Sequence, residues 1–270
     1  MLRLFLTQAA IGSVLVLLLV PPRAAGRKFF RYAVAQSTAI LILGLALEAG
    51  AGAYGSLPMG LFFAAALLLG CSAGLFHVGR LETGFLCMAF ALLPGMAAVT
   101  LEATSFMPAH DTSPASHLLY PSDALTAGLL LGSVLIAMIL GHFYLNIPGL
   151  SIDHLKRLSI VVLAATGARL LVVAISAVRH REGLVPLVAL FFDGTGPVPE
   201  GAQDPFVLVL LLMHLVVGIL GPAVLAFMTW RAAGISSTQS ATGILYVALV
   251  LVIMGEMASR YLLTFTRLPL

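Results

Sequence analysis

The chain has 270 residues, of which 60% are hydrophobic and only 9% charged, with a formal net charge of +3. A water-soluble domain carries roughly 25% charged residues, so a mean hydropathy of +1.08 excludes a soluble globular domain and makes lipid the expected solvent. The basic residues sit mostly in short loops, where the positive-inside bias explains them without nucleic acid.

Apolar runs of about 20 residues match a ~30 Å hydrocarbon core when helical. Lipid offers no hydrogen-bond partners, so these runs must be helices. The expected fold is therefore all-α, a polytopic transmembrane bundle of about eight helices forming one transmembrane domain over 1–270. The first run, Phe5 to Val20, follows Arg3 and precedes Arg23-Ala24-Ala25-Gly26, a layout that signal peptides share. It is read here as the first transmembrane helix, over 4–20 and ended by Pro21-Pro22. Further helices are expected over 33–53, 58–79 (opened by Pro58), 84–103, 122–145, 157–178, 205–229 and 241–263. The stretch from Thr104 to Pro121 has three prolines and no Lys or Arg, and Pro148-Gly149 breaks the chain after the fifth helix. The segment from Arg179 to Asp204 is rich in Gly and Pro, and its apolar part, Leu184 to Phe192, is read as re-entrant or interfacial.

Orientation follows from loop charges. One side carries Arg23, Arg27, Lys28, Arg31, Arg80, Lys156, Arg157 and Arg231, and the other Arg3, Arg179, Arg181 and Arg267. The richer side is assigned to the cytoplasm, with both termini outward, and the Arg179–Arg181 pair runs against that assignment. Gly70-xxx-Gly74 and Gly128-xxx-Gly132 have the spacing that lets helix backbones approach closely. Cys71 and Cys87 both lie in apolar runs and form no CxxC pair, so they read as packing residues with no metal site.

Ionisable groups inside the hydrocarbon region cost at least ~2.5 kcal/mol each on insertion scales, so they face protein and mark candidate sites. Three sets stand out. Near the midplane, Arg169 lies roughly 17 Å deep in the sixth helix and His214 roughly 14 Å deep in the seventh. Toward the outer face lie Glu48, Glu102, and Glu256 with Arg260, the last two spaced i,i+4 with the acid first. A lone carboxylate such as Glu48 is a candidate for proton movement. Near the cytoplasmic face lie His77, Arg80, Glu82, His142, Tyr144 and His154. His77 and His142 reach similar depth on different helices, and two such imidazoles suit axial ligation of a b-type haem or hydrogen bonds to a quinone head group. Each of these groups also has a plainer reading: Arg169 as a helix clamp, His214 as a satisfied core histidine, Glu256–Arg260 as a structural ion pair.

No phosphate-binding Gly-x-x-x-x-Gly-Lys-Ser/Thr loop, His-Glu-x-x-His pair or Gly-x-Ser-x-Gly elbow occurs. The segment Gly255-Glu256-Met257-Ala258-Ser259-Arg260-Tyr261-Leu262 resembles the Gly-Glu-x-x-x-Arg ending of the last helices of DMSO-reductase-type and NrfD/PsrC membrane anchors. The resemblance covers these eight residues. It implies a bacterial inner-membrane subunit that passes electrons between quinone and a partner subunit, with Glu256 and Arg260 lining or bracing a quinone pocket. The expected function is thus an integral membrane subunit of a respiratory complex, anchoring other subunits and handling quinone through Glu48, Arg169, His214, Glu256 and Arg260. Two alternatives remain open. One is a small-solute or ion transporter with a midplane polar site at Arg169, His214 and Glu48. The other is a structural scaffold whose buried charges are packing pairs.

Overall fold

The computed structural model describes residues 1–49, 56–109, 111, 113–146, 151–181 and 205–270. Among these residues the fold is all-α, with eight helices and no strand. In chain order they are α1 (Leu2–Leu17), α2 (Pro22–Ala49), α3 (Leu57–His77), α4 (Leu81–Thr104), α5 (Pro114–Asn146) and α6 (Asp153–Arg179). Helix α7 runs without interruption through Pro205–Leu212, a π-helical Met213–Leu220 and Gly221–Gly234, and α8 is Thr238–Thr266. The expected re-entrant segment, Leu184 to Phe192, lies outside the described residues.

Seven of the eight helices are long and apolar enough to cross a membrane. The exception is α1, whose 16 residues span about 24 Å. Its sequence reads as a spanning helix, but twelve of its residues are buried against other helices. A helix shielded by protein is not held to the hydrocarbon thickness as a lipid-facing one is. Two other expected boundaries move. Arg27, Lys28 and Arg31 read as loop, yet they belong to the first turns of the long part of α2, beyond a kink at Gly26 (φ 76°). Long basic side chains can reach water from a helix end, so their charge does not stop the helix. Pro121 reads as a loop residue before a helix starting at 122, yet α5 begins two turns earlier, at Pro114.

The bundle is centred on α1 and α5. Helices α2 and α4 pack on this pair and α3 packs on α2 and α4, while α6 and α8 pack on α5 and α7 packs on α6 and α8. Antiparallel succession produces two ends. At one, called here the terminal end, Arg3 of α1 pairs with Glu102 of α4, and the Tyr120 hydroxyl of α5 donates to the Arg267 carbonyl after α8 at 2.6 Å. At the other, the basic end, Phe30 of α2 packs on Phe76 of α3 with ring centroids 5.5 Å apart.

The α1–α5 crossing is glycine on glycine, as the Gly128-xxx-Gly132 spacing predicts. A methyl group on Gly132 would lie 2.2 Å from the Gly12 carbonyl carbon, and one on Gly12 would lie 1.8 Å from the Gly128 oxygen. The Gly70-xxx-Gly74 stripe does not pack a helix: both positions on α3 face open space. Spacing alone cannot tell a packed stripe from an outward one. Both cysteines are free thiols, Cys71 facing outward and Cys87 half-buried, donating to the Leu68 carbonyl at 3.3 Å.

Outside the spans, the start of α5 is fastened to the end of α6. Arg179 donates to Ser113 Oγ at 2.6 Å and lies 3.7 Å from Asp111 Oδ1. Asp111 also accepts from Ser116 Oγ at 2.5 Å and from the Ser113 amide at 3.1 Å. The Ser116 hydroxyl, then Ser113, then the Arg179 charge hold the Asp111 carboxyl well below its ordinary value of 3.8. A depressed value means that the stabilisation is present above the ordinary value and is lost only as pH falls through the folded one.

Two outcomes are expected. Gly132→Val overpacks the α1–α5 crossing and lowers stability in detergent by about 1–3 kcal/mol or more, while Gly74→Val leaves it unchanged. Thermal melts of the purified variants check this, and equal shifts would contradict the crossing. A carbon-13 titration of the Asp111 carboxyl is expected to show it still ionised below pH 3.8, and a midpoint at that value would remove the hydroxyl cradle.

Candidate functional site

Three helices bring charge to one level of the bundle. Asp123 lies nine residues into α5, Arg169 ten residues before the end of α6, and Glu256 ten residues before the end of α8. Each is therefore roughly 15 Å below the terminal end. Arg260 follows Glu256 by one turn. All four residues are fully buried.

Arg169 uses its whole guanidinium. Its Nε donates to Glu256 Oε1 at 2.9 Å and its Nη2 to Glu256 Oε2 at 3.0 Å, the two-pronged geometry that a planar fork favours. Its Nη1 donates to Asp123 Oδ1 at 2.5 Å and to the Asp123 carbonyl at 3.2 Å. Nη2 also reaches Ser259 Oγ at 2.8 Å and the Leu270 backbone oxygen at 2.9 Å. The second cation, Arg260, places Nη2 2.7 Å from Asp123 Oδ2 and 3.9 Å from Glu256 Oε2. Two guanidinium groups thus face two carboxylates, and the quartet has no formal net charge.

The tail closes this quartet. Arg267 adopts a left-handed conformation (φ 60°) at the end of α8 and turns the chain back. Leu270 then packs among Val173, Leu208, Leu211 and Leu262 at 2% exposure, with its oxygen on Arg169 and on the Ser259 hydroxyl.

His214 stands beside the quartet on the π-helical part of α7. Pro222, two residues past the π-helical part, has no N–H to donate, and the wide turn bonds the Gly221 N–H to the Val216 oxygen. The segment crosses α8 at Gly218 and Gly255, where a methyl group on Gly255 would lie 2.1 Å from the Gly218 Cα. His214 Nδ1 lies 3.0 Å from the Gly255 carbonyl oxygen. That oxygen can only accept, so Nδ1 carries the proton and Nε2 of the neutral ring is a bare acceptor. His214 Nε2, Arg260 Nε and Nη1, and Gln8 Oε1 are all buried without a hydrogen-bond partner among the described residues. Breaks in helical register of this kind recur where a chain carries function.

The structure joins two sets that the sequence reads apart. Arg169 and His214 read as a midplane pair, with Glu256 and Arg260 nearer the outer face. Instead Arg169 pairs with Asp123 and Glu256, and His214 with the Gly255 carbonyl. Asp123 is the residue the sequence reading misses. It sits two residues after Pro121, where a helix start was expected, so its depth was not apparent. Glu48 lies in the last turn of α2, and its side chain lies outside the described residues. His77 and His142 lie toward the basic end, on α3 and α5. Among the described residues α3 packs on α2 and α4 and makes no close backbone approach to α5. No cluster of three or more His, Cys, Asp or Glu among the described residues could hold a metal ion.

The class defined by this geometry is a membrane-spanning helix bundle with a buried charge quartet of no formal net charge. No family model, curated protein or solved structure matches the chain.

Removing one partner of a buried pair leaves an uncompensated charge and costs about 3–5 kcal/mol. Arg169→Met is therefore expected to lower stability by that order, and Glu256→Leu likewise. The double variant keeps Asp123 with Arg260 as a neutral pair and is expected to be more stable than either single variant. A double-mutant cycle of thermal stability checks it, and simple additivity would show that Arg169 and Glu256 do not act together.

Proposed function

We propose that the chain is the membrane-embedded subunit of a respiratory electron-transfer complex, anchoring partner subunits and handling quinone or quinol. The observation that carries the reading is the unspent hydrogen-bonding capacity beside the quartet. Arg260 Nε and Nη1 are donors and His214 Nε2 is an acceptor, all buried and without a partner among the described residues. Buried polar groups are ordinarily satisfied. A quinone carbonyl takes such donors, and a quinol hydroxyl gives its proton to such an acceptor. The resemblance of the Gly255–Leu262 segment to quinone-linked anchors supports the same residues, Glu256 and Arg260. The reading places the main redox centres in partner subunits.

The scaffold reading has its own observation: every nitrogen of Arg169 is engaged, which suits a clamp. One experiment separates the two. The chain is purified gently from its native membrane, its companions are identified, and quinol-linked turnover of the complex is measured. The electron-transfer reading expects iron–sulfur, haem or molybdenum subunits to copurify. It also expects His214→Ala to lower turnover by about tenfold or more in a complex that still assembles. Full turnover in both His214→Ala and Arg260→Lys complexes would leave the quartet as a clamp only.

A further inference from the structure

The segment that follows α8 ties the quartet to the terminal end. Arg267 is exposed and left-handed (φ 60°), a conformation that a residue with a Cβ adopts under strain. Three residues later Leu270 is buried, and its oxygen accepts from Arg169 Nη2 at 2.9 Å and from the Ser259 hydroxyl. Ser259 Oγ in turn accepts from Arg169 Nη2 at 2.8 Å and from Arg260 Nη2 at 2.9 Å. One hydroxyl thus joins both arginines of the quartet to a short non-helical segment. The hold on that segment is slight. The Arg267 amide still bonds the Leu263 oxygen at 3.1 Å, but the Leu268 amide turns to the Thr266 hydroxyl at 3.2 Å. On the outside, the Tyr120 hydroxyl donates to the Arg267 carbonyl at 2.6 Å, and the Arg267 guanidinium lies 5.4 Å from the centre of the Phe106 ring. Leu270 belongs to the smaller of two buried apolar clusters. Segments with few backbone hydrogen bonds and little apolar contact open locally while the helices stay formed.

We propose that Arg267–Leu270 is a strap that lifts, hinged at Arg267, and opens the quartet to the terminal end. The proposal deepens the quinone reading above and rests on it for what enters. Arg260 and His214 are fully buried, so a ligand meets their unpartnered atoms only if part of the cover moves. Lifting the strap leaves the Ser259 hydroxyl without its acceptor and Arg169 Nη2 with one fewer. These donors then join Arg260 Nε and Nη1, and a carbonyl oxygen accepts from any of them.

The test reads access, not turnover. Cys71→Ala and Cys87→Ala remove the native thiols of the full chain. Single cysteines are then labelled in phosphatidylcholine nanodiscs with a small, charged, membrane-impermeant methanethiosulfonate. Two reporters are used: Leu270→Cys in the strap and Ser259→Cys beneath it. Two references from the same end of the bundle bracket the rate, the exposed Ser105→Cys and the buried Ala103→Cys. Both reporters are expected to label more slowly than Ser105→Cys and at least about tenfold faster than Ala103→Cys. Tyr120→Phe, which removes one latch, is expected to speed both by roughly threefold to tenfold, as loss of one hydrogen bond would. Thermal melts show that each variant keeps its fold. Reporters as slow as Ala103→Cys would mean a fixed plug and overturn the proposal. Leu270→Cys as fast as Ser105→Cys would mean a segment that never docks. Labelling of Leu270→Cys with Ser259→Cys silent would mean a strap that covers nothing, and would overturn it equally. The two readings fail separately. Labelled reporters with full turnover in the His214→Ala complex would keep the strap and remove quinone handling, and silent reporters with turnover lost would do the reverse.

Discussion

The structure depends on neutralising Arg169. A guanidinium stays protonated under any physiological condition, and an isolated ion in a low-dielectric interior carries a desolvation penalty of several kcal/mol. The bundle meets this with two carboxylates from two other helices, Asp123 and Glu256, and then must neutralise the excess with Arg260. That requirement fixes the register of α5, α6 and α8 at one level. It also draws the tail inward, because Arg169 Nη2 and the Ser259 hydroxyl both use the Leu270 oxygen. Apolar packing against lipid supplies little register information, since lipid tails are as apolar as leucine. Charge and glycine contacts supply it here.

The two halves of the bundle are locked by different means. Around α1 the contact is steric: Gly12, Gly128 and Gly132 let two backbones touch, and any side chain there would collide. Around α8 the contact is electrostatic, with a second glycine crossing at Gly218 and Gly255 that presses His214 onto the α8 backbone. The π-helical turn of α7 sits at that crossing, next to Pro222. The close approach and the missing proline donor act on the same few residues.

Much of this was legible in the sequence. The class, the helix number and most helix centres follow from runs of apolar residues, because lipid admits no other structure. Arg169, Glu256 and Arg260 stand out as charges in such runs. Asp123 does not, because the prolines and polar residues before it imitate a loop, whereas Pro114 and Pro121 occupy the first two turns of α5. Partner choice was not legible either. The i,i+4 spacing of Glu256 and Arg260 suggests that they satisfy each other, but their closest approach is 3.9 Å, and each has a nearer partner on another helix. An exposed groove at the basic end joins residues from three helices more than a hundred positions apart, Gln36, His142 and Tyr246. Only the helix register reveals it.

Asp123 and Glu256 are both ionised in the buried core, each held by a guanidinium. Infrared difference spectra between the wild-type protein and its Asp123→Asn and Glu256→Gln variants, recorded in bilayers at neutral pH, test it directly. Each substitution is expected to remove a carboxylate stretching band. Loss of a protonated carboxylic-acid carbonyl band instead would mean that the core holds uncompensated arginine charge, and the quartet as described would not exist.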